Sequence, residues 1–417
     1  MKNSGIEWIG EIPDDWEVER LQWYIEEVKV SNNPMQTDCV LSLTNKAGVI
    51  PYEEKGAQGN VAKEDYTQYK LAYPHTIVAN SMNILIGSVG ICNYFGCVSP
   101  VYYVFKPTDK ADLFYINYIM QTVPFQKELR RYANGILEIR LRVSANGILK
   151  RKIAIPSLDQ QKSIVAEINK KCAAIDSMVA NQQAQIEKLK EYKQSVITEA
   201  VTKGLDPSVP MKPSGVEWIG EVPINFSIQN IRSLFQIRKE VIGREPETVL
   251  SITQSGLKIK NVSENEGQMA NSYANYQIVH IGDFAMNHMD LLTGGIGISK
   301  YEGVTSPDYR VFKIKKVSYI KKYFLYVFET YYRNKIFYAF GQGAANLGRW
   351  RLPAQNFYSI FIPVPSVKDQ QQIADHLDKK CAEIDKLISV KQQKIEKLNE
   401  YKKSLIYEYV TGKKEVG

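Results

Sequence analysis

Ile155-Pro-Ser-Leu-Asp-Gln-Gln161 and Val364-Pro-Ser-Val-Lys-Asp-Gln-Gln371 open two stretches that the chain writes almost twice over. The first runs through Lys170-Lys-Cys-Ala-Ala-Ile-Asp176 and Ile186-Glu-Lys-Leu-Lys-Glu-Tyr192 to Val201-Thr202. The second runs through Lys379-Lys-Cys-Ala-Glu-Ile-Asp385 and Ile395-Glu-Lys-Leu-Asn-Glu-Tyr401 to Val410-Thr411. Cys172 and Cys381 stand 209 positions apart, as do Tyr192 and Tyr401. A repeat of this length decides the architecture before any single element does.

Each stretch predicts one long helix. Apolar residues fall at Ile164, Ile168, Cys172, Ile175, Val179, Ile186 and Leu189 in the first. They fall at Ile373, Leu377, Cys381, Ile384, Ile388, Ile395 and Leu398 in the second. Steps of three and four give a narrow seam of coiled-coil type. Gln182 and Lys391 interrupt it at the same place in both copies, where a polar residue fixes register. An amphipathic helix this long needs a partner, and the natural partner is the other copy.

The repeat reaches beyond the helices. Ser4-Gly-Ile-Glu-Trp-Ile-Gly-Glu-Ile-Pro13 returns as Ser214-Gly-Val-Glu-Trp-Ile-Gly-Glu-Val-Pro223. Asn80 and Met82 return as Asn287 and Met289, and Arg140 and Arg142 as Arg349 and Arg351. Between these anchors the halves diverge, as expected of two readers on one scaffold. Short strands are predicted over 38–43, 76–79, 101–106 and 152–155, and helices over 115–131, with a bend at Pro124, and 319–332. Trp8, Ile9, Ile12 and Trp16, with their counterparts Trp218, Ile219, Val222 and Phe226, are expected to anchor each opening segment on a core.

A net charge of +8 and a pI near 8.9 are compatible with nucleic acid without demanding it. Five cysteines without zinc spacing or a disulfide framework point to a reducing cytoplasm. The polar N-terminus predicts no signal peptide, and no apolar run approaches the ~18 residues of a membrane span. Catalytic motifs are wanting. Gly295-Ile-Gly297 has Lys300 where a dinucleotide fingerprint needs its third glycine, and no phosphate-binding loop accompanies it. Ser99-Pro-Val-Tyr102 and Ser306-Pro-Asp-Tyr309 only superficially resemble a methyltransferase tetrapeptide, lacking its second proline. Glu53-Glu-Lys55 has no equivalent in the second half, and the four histidines have no ligand spacing.

What remains suits nucleic acid. Arginine and lysine hold phosphates and read guanine; asparagine and glutamine read adenine. The candidates are Asn80, Asn83, Tyr102, Arg140 and Arg142 in the first half. In the second they are Gln254, Asn287, His288, Tyr309, Arg310, Arg349 and Arg351. The matched arginines could instead brace each globular segment against its helix.

The doubled opening, the Pro-Ser…Gln-Gln helix heads, and Ile-Asp with Ile-Glu-Lys-Leu-x-Glu-Tyr inside the helices resemble the specificity subunits of type I restriction-modification systems. Asp159 and Asp369 stand where that family usually has glutamate, a small departure. The resemblance covers the whole chain. It implies an α+β fold with two pseudo-repeated mixed α/β target-recognition domains and two long antiparallel coiled-coil helices that hold them apart. The domains would be 1–154 and 214–363, the helices 155–206 and 364–417, with 207–213 as linker. Each domain would read one half of a bipartite, asymmetric target in double-stranded DNA. The chain would catalyse nothing and carry no cofactor or metal. Two modification subunits, methylating adenine with S-adenosylmethionine, and two restriction subunits, using ATP and Mg, would assemble on it. The competing reading is a coiled-coil scaffold whose globular segments bind proteins.

Overall fold

The computed structural model describes residues 1–44, 48–55, 65–135, 141–254, 256–261, 270–343 and 350–416. The two repeated stretches are single helices, Leu158–Lys203 and Val367–Val410. The chain divides into two compact units, and the division falls inside these helices. One unit is Met1–Gln183 with Gln392–Gly417, the other Ala184–Lys391. Each unit therefore owns one globular segment, the start of the helix that follows it, and the end of the other helix.

In the first unit, Ile25–Glu27 (β1), Thr76–Asn80 (β2), Val89–Cys92 (β3) and Tyr102–Pro107 (β4) form an antiparallel sheet in the order β1-β4-β2-β3. The sheet packs on the helices Leu113–Gln121 and Val123–Arg130. The sequence pattern predicted one bent helix here. Pro124 cannot donate an N–H and disfavours helical backbone before it, so the chain breaks at Thr122, whose ψ is 139°. Ile9, Ile12 and Trp16 enter the same core, as do Ile164, Ile168 and Cys172 from the first long helix and Leu405, Tyr409 and Val410 from the second.

The second unit repeats the plan. Phe235–Arg238 (β5), Phe284–Met286 (β6), Ile296–Ile298 (β7) and Arg310–Ile314 (β8) form the sheet β5-β8-β6-β7 against the helix Lys321–Arg333. Its core is aromatic: Phe235 meets Phe284, Phe312 and Phe324 edge-on at 5.5, 5.6 and 5.4 Å. The copies thus share a frame while filling it differently.

The joints are identical. The Tyr115 hydroxyl donates toward the carbonyls of Ala154 and Val410, at 3.3 and 3.0 Å. The Tyr323 hydroxyl donates toward those of Pro363 and Val201, at 2.9 and 3.2 Å. Gln161 takes the N–H of Asp112 at 2.8 Å, and Gln370 that of Ile320 at 3.0 Å. In each unit the start of one long helix meets the end of the other, so the helical segments run antiparallel. Asp176 pairs with Lys402 at 2.7 Å in the first unit, and Lys193 with Asp385 at 2.7 Å in the second. These are one ion pair written twice with the helices exchanged. Exposed pairs contribute little stability, but they mark the register.

The predicted seam faces inward. Ile168, Cys172, Ile175, Ile186, Leu377, Cys381 and Ile384 are buried; Val179, Leu189, Ile388, Ile395 and Leu398 are half-buried. Lys391 donates to Gln185 where the seam turns polar. Among the described residues no helix is long and apolar enough to cross a membrane.

Candidate nucleic-acid interface

The sequence candidates gather at one end of each four-stranded sheet. In the first unit the chain turns over residues 81–88 between β2 and β3. Asn80 builds that turn: its side-chain oxygen accepts the N–H of Met82 at 3.0 Å, and its own N–H donates to Ser88 at 3.0 Å. In the second unit Asn287 follows β6. Its side-chain oxygen accepts the N–H groups of Met289 and Asp290, both at 3.1 Å, and its N–H donates to Gly295 at 2.9 Å. The repeated asparagine is required because a short amide can replace backbone partners inside a turn.

Beside each turn lies a strap carrying the repeated arginine. Asn134 and Arg142 exchange main-chain bonds of 2.8 and 2.9 Å, and the next N–H, of Val143, donates to Ser81 at 3.0 Å. Gln342 and Arg351 exchange bonds of 2.8 and 3.1 Å, and the N–H of Leu352 donates to His288 at 2.9 Å. Two segments distant in sequence are thus locked together by the same three bonds in both units. Arg142 and Arg351 are exposed. Arg140 and Arg349 lie outside the described residues.

Tyr102 pairs with Asn80 across the β2–β4 ladder, and Tyr309 immediately precedes the Arg310–Met286 pair of the β6–β8 ladder. Both rings are half-buried, and burial pushes both hydroxyls above their ordinary pKa. Asn83 is exposed on the first turn. Gln254 is exposed too, and its amide donates to the Thr293 carbonyl of the second turn at 3.1 Å.

Two candidates face inward instead. Asn80 is spent on its turn and is buried. Arg310 is also buried. Its Nη2 donates to the Leu352 carbonyl at 2.6 Å, its guanidinium lies 5.0 Å from the centre of the Phe357 ring, and burial lowers its pKa to about 10. Arg310 therefore holds the arginine strap from beneath. Residue type alone could not separate such an arginine from a surface one. His288 sits between: burial first, then the charges of Arg310 and Arg351, lower its pKa to about 4, so its ring is neutral at pH 7. Each face therefore offers an exposed arginine, a phenol edge and amide groups on a backbone fixed by hydrogen bonds. That inventory fits phosphate oxygens and base edges. The same turns carry aliphatic residues at their tips, Ile84-Leu-Ile86 and Leu291-Leu292, which nothing in the sequence marks as part of a site.

Residues 256–400 match the family model described as the type I restriction modification DNA specificity domain. Over 97% of its length the chain is 23% identical to the putative type I restriction enzyme MjaX specificity subunit of Methanocaldococcus jannaschii, covering 95% of that protein. The matched segment thus resembles the type I restriction modification DNA specificity domain. The chain is also 23% identical to the type I restriction enzyme MjaVIII specificity subunit of the same organism, over 96% of this chain and 93% of that one. Its fold matches a chain solved in work on complex assembly and conformational transition of the type I R-M system. The TM-score is 0.68 at 10% identity, over 96% of this chain and 98% of that one. It also matches the HsdS subunit from Thermoanaerobacter tengcongensis, with a TM-score of 0.51 at 12% identity over 96% and 98%.

Proposed function

We propose that each unit reads one half of a split, asymmetric target in double-stranded DNA through its asparagine turn and arginine strap. The observation that carries this is the recurrence of one hydrogen-bonded turn-and-strap frame in two units whose other surfaces have diverged. Identical readers would select a palindrome; diverged readers on a common frame select two different half-sites. Arg142 and Arg351 contact phosphates, which are the same in every sequence, and the diverged side chains around them supply base preference.

The long helices set the spacing between the half-sites and dock two modification subunits. Matched apolar residues support two equivalent docking faces. Met178 and Tyr401 are exposed in the first unit, and Leu387 and Tyr192, their repeat partners, in the second. The chain itself is a non-catalytic cytoplasmic subunit. S-adenosylmethionine, ATP and Mg belong to the modification and restriction subunits that complete the complex.

The test is selection from a randomised duplex library by the full chain, at several salt concentrations. Two unrelated short motifs at a fixed separation, bound ever more weakly as salt rises, are the expected result. Absence of sequence selection, or binding indifferent to salt, refutes the reading and favours a protein-binding scaffold.

A further inference from the structure

The turns that carry the asparagines have a second property. Each buries its first aliphatic residue and exposes a later one. Ile84 is buried and Ile86 is 69% exposed; Leu291 is buried and Leu292 is 58% exposed. In the common frame the two exposed residues differ by one position, since Asn80-to-Gly87 aligns with Asn287-to-Gly294.

A single exposed aliphatic residue on a mobile loop would mean nothing. Here the backbone beneath it is held at every step. Asp290 accepts the N–H groups of Leu292 and Thr293 at 3.1 and 2.8 Å. The Asp290 carbonyl takes the Gly294 N–H at 3.2 Å and the Tyr332 hydroxyl at 2.9 Å. Gln254 holds the Thr293 carbonyl, and Gly294 and Gly295 pass too close to Asp290 and Thr253 for any side chain. In the first unit Asn83 accepts the N–H groups of Ile86 and Ser88 at 3.0 and 3.1 Å, and Gly87 closes the turn at φ +85°. Leu291 and Ile84 pin each turn into the core. In both units the tip belongs to the turn whose second residue, Ser81 or His288, accepts the N–H that follows the exposed arginine.

We infer that Leu292 and Ile86 are base-contacting residues, each packing on the C5-methyl of a thymine in the half-site its unit reads. This rests on the DNA reading proposed above. The thymine methyl is the apolar group that the major groove presents for direct readout. A rigid aliphatic tip on a turn bonded to the arginine strap would meet it with little ordering cost. The one-position offset between Ile86 and Leu292 would place the methyl contact differently in the two half-sites.

The experiment compares the full chain with its L292A and I86A variants on a randomised duplex library. L292A is expected to lose a thymine preference of about tenfold at one position of one half-site. I86A does the same in the other half-site. Melting temperature and salt dependence stay unchanged, because neither side chain supports the core nor carries charge. A second measurement needs no variant: uracil in place of that thymine, lacking only the methyl, should weaken binding by the unmodified chain to the same degree. Selectivity untouched by either variant, equal loss at all positions, or indifference to uracil overturns the inference while leaving the DNA reading intact. An unmodified chain that selects no sequence overturns the DNA reading itself.

Discussion

Replacing Arg351 with alanine separates a phosphate contact from a structural brace. The strap holding Arg351 is secured by main-chain bonds to Gln342, by the Leu352 N–H on His288, and by Arg310 on the Leu352 carbonyl. None of these uses the Arg351 side chain, which is exposed. The variant should therefore stay within about 0.5 kcal/mol of the parent in stability. Its DNA affinity should change in a defined way. Each phosphate contact contributes about 0.9 to the slope of log affinity against log salt. Losing one contact lowers the slope by that amount, so the parent-to-variant affinity ratio shrinks about 3.5-fold between 50 and 200 mM salt. Fluorescence anisotropy on a fixed duplex reads the slope, and a melting curve on the same sample reads stability. Arg142→Ala should behave alike. A destabilised protein with an unaltered slope would show that these arginines brace the fold, and would remove them from the interface.

Arg310→Met should cost about 1–3 kcal/mol in denaturant unfolding, because it leaves the Leu352 carbonyl without its buried donor; an unchanged midpoint would contradict its role beneath the strap. The His288 pKa of about 4 lies below the ordinary 6.5, so between those values the unfolded chain binds a proton that the folded chain refuses. Stability contributed by His288 is accordingly full above pH 6.5 and falls as the pH drops towards 4; His288→Gln should flatten that part of the profile, and identical profiles would refute the assignment. Tyr115→Phe and Tyr323→Phe should each cost about 1–3 kcal/mol, measured by urea unfolding, since each hydroxyl serves two buried carbonyls; a loss at only one of the two sites would break the equivalence of the joints. Deleting Gln182 to Lys188 together with Lys391 to Lys397 should shorten the spacer in the selected DNA by up to about three base pairs, at roughly 1.5 Å per helical residue and 3.4 Å per base pair; an unchanged spacer with full binding would end the ruler reading.

The fold was legible where repetition and periodicity carry it. Ile168, Cys172, Ile175, Ile186, Leu377, Cys381 and Ile384 are buried as the seam spacing predicts, while Val179, Leu189, Ile388, Ile395 and Leu398 are half-buried, and the strand expected over 152–155 is Lys152–Ile155. Other edges shifted: the strand expected over 38–43 forms as Leu41–Thr44, and the helix expected over 319–332 as Lys321–Arg333. Local propensity sets the type of an element, while its ends depend on caps and partners elsewhere in the chain. The site was legible only in part. Repetition singled out Asn80, Asn287, Arg142 and Arg351, but it could not say that Asn80 would be consumed by its own turn. Nor could it place Arg310 inward: its neighbour Tyr309 has the same sequence credentials and is half-buried. Ile86 and Leu292 escaped notice because an aliphatic pair in sequence reads as core, and only the turn geometry shows that one member faces out.

The interleaved ownership of the helix ends has a consequence for biosynthesis. The second unit, Ala184–Lys391, is contiguous and can close while translation is still under way. The first cannot. Tyr115 must wait for Val410, 295 residues downstream, and the core around Ile164 and Cys172 needs Leu405 and Tyr409. At about 5–20 residues per second, the earlier-made half stays open for on the order of tens of seconds after its own sequence has emerged. Its apolar surface is the one a holding chaperone would meet. A premature stop near the 3′ end of the message would therefore damage the unit encoded at the 5′ end and spare the one encoded beside the lesion.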